Sequence, residues 1–163
     1  MSFEKIILLG IKPKYAEDIL SGRKKWEYRR RPPKIETPVP TALYASDEAK
    51  SIVGTCIVTK IVQEPIESLI KNTISETAST EQGLKDYFNG LKICSALRVE
   101  KPSRFEMNLD EIRKVVPGFA APQNFYYLRN EGSYKKLFEI LEKNPNLIKF
   151  KSNEGSALIQ SNH

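Results

Sequence analysis

Apolar positions along this chain come in short bursts separated by polar and proline-rich stretches. The run from Lys5 to Ile11 suits a buried strand. Pro13 follows, and proline is favoured in the first turn of a helix, where its missing N–H would have had no partner. Tyr15, Ala16, Ile19 and Leu20 then recur at helical spacing. Gly22 stands where helices commonly stop in the left-handed conformation, so Pro13 to Ser21 is predicted helical. From Lys24 to Arg30 the pattern alternates. It assigns Lys24, Trp26, Tyr28 and Arg30 to one face of a strand and Lys25, Glu27 and Arg29 to the other. Arg31-Pro32-Pro33 ends that strand, and the four prolines between Pro32 and Pro40 keep the next stretch extended.

Thr41 to Ser46 reads as a strand, and a polar turn over Asp47 to Ser51 follows. Ile52 to Val62 is apolar on both faces and rich in β-branched residues, hence a long central strand in which Gly54 marks a bulge or bend. After Pro65 a short helix is predicted over Ile66 to Lys71, then a polar loop from Asn72 to Thr80. A helix over Gln82 to Phe88 comes next, capped by Ser79 or Thr80 and stopping at Gly90. Lys92 to Val99 is a strand and Ser103 to Asn108 a strand or turn. Leu109 to Val115 is a brief helix capped by Asn108, and Phe125 to Leu128 an aromatic strand. In Ser133 to Lys143, Tyr134, Leu137, Phe138 and Leu141 fall at i, i+3, i+4 and i+7, an amphipathic helix that docks on the rest. Strands interrupted irregularly by helices argue against a doubly wound parallel sheet. They favour an α+β fold: a small, mixed, partly closed β-barrel decorated with short helices and a C-terminal amphipathic helix. The expected organisation is a barrel domain over 1–130, the docked helix over 131–149 and a disordered polar tail over 150–163.

At 163 residues there is room for one such domain. No stretch approaches the roughly 18 consecutive apolar residues a membrane span needs, so no membrane association is expected. The apolar run Ile6 to Leu9 is too short for a secretion signal, and a cytoplasmic location is expected. Cys56 and Cys94 each sit in an apolar run and are expected to be free, buried thiols. His163 is the only histidine, so no metal site is expected. The absence of a glycine-rich phosphate loop likewise gives no reason to expect a cofactor.

Charge sharpens the picture once it is located. The chain carries a net +6, and the segment from Lys12 to Lys34 holds nine basic and three acidic residues. That segment therefore accounts for the whole excess, and the remainder sums to zero. Concentrated basicity is the footprint of a polyanionic partner, with a solvated basic face as the plain alternative.

The segment Gly22-Arg-Lys-Lys-Trp-Glu-Tyr-Arg29 resembles the signature of ASCH domains, a branch of the PUA-like superfamily, matching it at Gly22, Lys24, Glu27 and Arg29. The stretch Ile11 to Ser21 is similar to the entry into that signature. Leu43 to Ser46 and Ile52 to Val58 resemble the paired strands that follow it, and Pro122-Gln123 the closing element, so the likeness spans roughly residues 5 to 128. The resemblance implies a PUA-like β-barrel with a cleft where the helix-to-strand turn meets the barrel mouth. It implies work on or with RNA, as a binding module or a transcription or translation coregulator. One branch hydrolyses the amide of N4-acetylcytidine and another is a nuclease. In the amidohydrolase branch the lysine matching Lys24 is catalytic, as is a threonine where this chain has Glu27.

Read without the family, Lys24 suits a phosphate contact or, if desolvated, a base or nucleophile. Arg29 can present its fork to a phosphate, and Glu27 can accept from the amino edge of a base such as cytosine. A structural Glu27–Arg29 pair is the plain alternative. Trp26 and Tyr28 are expected in the core. Tyr15, Tyr44 or Tyr127 would be the exposed aromatic on which a base stacks. Lys12, Lys14, Gly22 and Arg30 complete the basic track, and Ser46, Lys50 and Gln123 are polar candidates for the rim. The expected partner is RNA, single-stranded or modified, or a nucleotide or nucleoside, with DNA as a further possibility. The alternatives are a hydrolase of modified nucleosides or RNA using Lys24 and Glu27, and a basic loop that docks an acidic protein.

Overall fold

A computed structural model describes residues 3–150. The first apolar run forms strand β1 (Ile6–Ile11), with every residue buried. It reads as continuous apolar sequence because both of its faces are covered. Ile6 and Leu8 enter one hydrophobic cluster, and Ile7, Leu9 and Ile11 enter another. Five more strands follow: β2 (Trp26–Arg29), β3 (Val39–Ala45), β4 (Ser51–Glu64), β5 (Cys94–Asn108) and β6 (Phe125–Leu128). The helices are α1 (Pro13–Leu20), α2 (Ile66–Thr73), α3 (Glu81–Tyr87), α4 (Leu109–Val115) and α5 (Lys135–Glu142). Residues 145–150 are helical again.

The strands form one mixed sheet in the order β2-β5-β4-β3-β1-β6, in which only β1 and β3 run parallel. The fold is thus α+β, as expected, but the sheet is not closed into a barrel: β2 and β6 lie at its two ends and do not pair. The reason lies in the chain after Arg29. Pro32 and Pro33 lack the N–H groups that would continue the ladder, and β2 stops after four residues. Side chains span the gap instead. Arg29 Nη2 donates to the carbonyl of Gly10 on β1 at 2.7 Å, and Nη1 to Asn124 Oδ1 at 3.0 Å. Asn124 Nδ2 answers with a bond to the carbonyl of Arg31, and Lys34 N–H donates to the hydroxyl of Tyr127 on β6.

The two segments expected as a strand and as a strand or turn, Lys92 to Val99 and Ser103 to Asn108, merge into the single 15-residue β5. A bulge makes this possible. Between the pairs Thr55↔Ser103 and Ile57↔Glu100, β5 carries one more residue than β4, and Lys101 adopts φ +51°. Pro102 sits in that bulge, where proline is tolerated within a sheet. Gly54 lies beside register shifts toward both neighbours, and a Cβ there would meet Leu20 Cδ2 at 2.4 Å and the Ser103 carbonyl at 2.7 Å. α4 opens on a capping box formed by Asn108 and Glu111, and Thr80 caps α3.

α5 packs Leu137, Phe138 and Leu141 into the first cluster, and the following turn adds Leu147 and Phe150. Trp26 and Tyr28 point into a third cluster built with α2 and α3. Cys56 and Cys94 are buried and unbridged. Burial, with a smaller contribution from the charge of Glu27, pushes the Cys56 thiol up to about 12. The expected tail from residue 151 onward, including His163, lies outside the described residues. Among the described residues no helix is long and apolar enough to cross a membrane.

Candidate functional site

The turn after α1 sets the geometry of the basic segment. Gly22 takes φ +83°, a conformation that costs glycine little, and reverses the chain so that the N–H of Lys24 bonds back to the carbonyl of Asp18. Lys24 is therefore held by the helix end, not by the sheet, because β2 begins only at Trp26. Strict alternation assigned Lys24 to the face of Trp26 and Tyr28. The structure corrects this: its side chain joins Glu27 and Arg29.

These three residues form a buried charge cluster. Lys24 Nζ lies 2.6 Å from Glu27 Oε1, while Arg29 places Nη2 and Nε at 2.7 and 3.1 Å from Oε2. Lys24 is 5% exposed and Glu27 4%. Burial alone would raise the Glu27 carboxyl, but the two cations outweigh it and hold the group below its usual range. Each carboxylate oxygen thus has a charged donor, and the cluster keeps one net positive charge. Tyr15 roofs it, its ring centroid 4.6 Å from Lys24 Nζ, while remaining 42% exposed itself.

Beside the cluster opens a cleft of about 510 Å³. The basic residues lining it are Lys24, Lys25, Arg98 and Lys101, against a single acidic one, Glu100. Ile19, Ile57, Val99 and Phe150 supply apolar lining. Arg98 lies over the face of Trp26, 5.2 Å from its centroid, and is braced by Glu76 at 2.9 Å. Among the described residues Lys101 has no salt bridge, and the pair between Lys25 and Glu76 is long at 4.0 Å.

Of the residues singled out in the sequence, Gly22 and Lys24 line this cleft. Tyr15, Glu27 and Arg29 gather around Lys24, as described. Lys12 and Lys14 are exposed near the start of α1. Arg30 turns away, donating to the carbonyls of Tyr87 and Asn89 and so closing the end of α3. Tyr44 is corrected most sharply. It is 1% exposed and packs 5.8 Å from Phe119 in the core, because β3 is covered on both faces, and it offers no exposed stacking surface. Ser46 bonds back to the carbonyl of Ile11. Lys50 and Gln123 are exposed and do not line the cleft. Sequence reasoning missed Lys25, Arg98, Lys101 and Phe150. Lys101-Pro102 falls between two segments read separately, so the pattern gave no sign of Lys101.

Three comparisons bear on this arrangement. The family model described as ASCH domain matches residues 9–115. A protein named "ASCH domain-containing ribonuclease" from Zymomonas mobilis is 32% identical over 130 residues, covering 78% of this chain and 87% of its own length. The crystal structure of ASCH from Zymomonas mobilis superposes with a TM-score of 0.75 at 29% identity, covering 83% of this chain and 95% of that one. A tyrosine-to-phenylalanine variant of that protein gives the same TM-score at 28% identity, over 83% and 98%.

Proposed function

Because the chain belongs to the ASCH domain family, we propose that its cleft binds RNA, and specifically an unpaired stretch of single strand. The observation that carries this reading is the makeup of the cleft: four cations against one carboxylate around an apolar lining. Cations suit phosphate oxygens, and an apolar hollow suits a base that has left its stack. A duplex keeps its bases paired and cannot place one inside. The buried Lys24–Glu27–Arg29 cluster serves this cleft by fixing Lys24 at its edge and adding one net positive charge beside it. Glu27 orients Lys24, and Arg29 anchors Glu27 to β1 and to Asn124. A nucleotide or nucleoside fits the same chemistry with lower affinity, since it offers fewer phosphates.

A second reading, RNA cleavage in the same cleft, is favoured by the identity to a protein named as a ribonuclease. Lys24 is the member of the buried cluster that faces the cleft and would act there as a hydrogen-bond donor to a phosphate or leaving oxygen.

One titration addresses both readings. Trp26 is the only tryptophan and its ring centroid lies 5.5 Å from Lys60 Nζ and 5.2 Å from the Arg98 guanidinium, so a ligand that engages Arg98 changes its emission. Single-stranded RNA is expected to give a saturable change, and a duplex of the same sequence a much weaker one. Running the recovered RNA on a denaturing gel then separates binding from cleavage: intact strands support binding alone, fragments the second reading. An emission spectrum unmoved by RNA, with no RNA retained by the protein, would sink the proposal.

A further inference from the structure

The family match ends at residue 115, yet part of the cleft comes from beyond it: Phe150 lines the hollow together with Gly22 and Lys24. The segment that delivers Phe150 is bonded into the sheet. Asn146 Nδ2 donates to Thr55 Oγ1 on β4 at 3.2 Å and to the carbonyl of Lys101 on β5 at 2.8 Å. Thr55 Oγ1, fully buried, donates in turn to Asn144 Oδ1, which also accepts from the Asn146 N–H at 3.0 Å. Leu147 is fully buried in the same cluster as Ile57 and Phe150, and Phe150 stacks on Phe3 with ring centroids 6.3 Å apart.

The bond to Lys101 matters because of where that residue sits. At φ +51° lysine holds a conformation that side-chain-bearing residues adopt only when the surroundings hold them there. The β-bulge creates that conformation, and the amide of Asn146 clamps its carbonyl. Among the described residues, Lys101 is also a cleft cation with no carboxylate spending its charge.

We propose that the segment 144–150 is a working wall of the RNA cleft, in which Asn146 positions Lys101 for a phosphate and Phe150, 9% exposed, supplies the ring edge against which a base packs. The inference rests on the RNA reading above and assigns roles to Asn146 and Phe150, which lie outside the matched family region. Asn146 is a positioning residue acting through Lys101; Phe150 meets the base itself.

The test uses the full chain and a labelled single-stranded oligonucleotide, with affinity measured over a range of salt concentrations. For Asn146→Ala the dependence of log affinity on log salt should become shallower by about 0.7, the release expected when one phosphate contact to a single strand is lost. Lys101→Asn, which keeps a residue tolerant of positive φ while removing the charge, should give the same change, and the double variant should add nothing further. Phe150→Leu preserves apolar packing but removes the ring. It should cut affinity roughly fivefold or more for a strand with bases, and hardly at all for an abasic strand. Melting curves check that each variant is folded. An unchanged salt dependence in both Asn146→Ala and Lys101→Asn, with wild-type protein binding normally, overturns this inference and leaves the RNA reading standing. Wild-type protein that binds no RNA overturns both.

Discussion

Glu27→Ala is expected to lower the melting temperature by roughly 6–20 °C, the largest effect of any single substitution at the site. Removing one partner from a buried ion pair costs about 3–5 kcal/mol, because the surviving charge stays desolvated without compensation. For a chain of this size each kcal/mol moves the midpoint by about 2–4 °C. Here one deletion orphans two cations, Lys24 at 5% and Arg29 at 11% side-chain exposure. It also frees Arg29 from the carboxylate that holds it against Gly10 and Asn124, loosening the contact that spans the open ends of the sheet. Glu27→Gln keeps the shape and an acceptor but not the charge, and should fall between wild type and alanine. The pH dependence has a definite sign. Glu27 has its pKa depressed in the folded state, so its contribution is fully present above the unfolded value, about 4.3, and is lost as pH falls through the folded value. Wild-type protein should therefore lose stability progressively below about pH 4, and Glu27→Gln should lose less over the same window. Glu17 and Glu76, held low first by hydrogen bonds to Arg104 and Arg98, add to the acid slope in both proteins. A Glu27→Ala protein that melts within a degree or two of wild type would mean the carboxylate is solvated and the cluster is not a buried unit.

Reversing two cleft charges together, Lys25→Glu with Lys101→Asp, should weaken RNA binding about 100-fold at low salt while leaving the fold intact. The pair removes two positive charges and installs two negative ones. Four charge units a few ångströms from a phosphate, screened by water, amount to about 2–3 kcal/mol. Both side chains are exposed, and aspartate tolerates the left-handed backbone at position 101, so the melting temperature should barely move. Lys114→Glu with Lys136→Glu makes the same change in net charge on α4 and α5, at exposed positions that do not line the cleft. If that control pair weakens binding as much as the cleft pair, affinity follows overall charge and no particular cleft is responsible.

Much of the fold was legible because local pattern and tertiary environment agree. α4 and β6 occupy the expected residues, and α1 and β4 differ from expectation by only one or two at most of their ends, since periodicity, caps and Gly22 act locally. β5 was harder. A bulge at Lys101 and Pro102 hides the continuity of one strand, because the pattern breaks where the ladder does not. Closure of the barrel failed for the opposite reason: strand content suggests a barrel, but β2 stops at Arg29 ahead of the proline-rich stretch, and the edge strands β2 and β6 do not pair. The cluster of Lys24, Glu27 and Arg29 was visible as a motif, while the inward turn of Lys24 was not, since it follows from a hydrogen bond to Asp18 in the preceding helix. Charge counting overstated the basic track. Arg23 is spent on Asp18 and Arg30 on carbonyls, while the cleft residues Arg98, itself paired with Glu76, and Lys101 come from a strand some seventy residues downstream. Tyr44 looked available because one strand cannot report how many layers will cover it.

The claim on which the rest depends is that cations gathered in one hollow hold the phosphates of an unpaired strand. It is tested most directly by the affinity of wild-type protein for a single-stranded RNA oligonucleotide at several salt concentrations between about 50 and 200 mM. With three or four phosphates engaged, log affinity should fall against log salt with a slope of about −2 to −3, or up to roughly 50-fold across that range. A line with no slope, or no binding at the lowest salt, would contradict it.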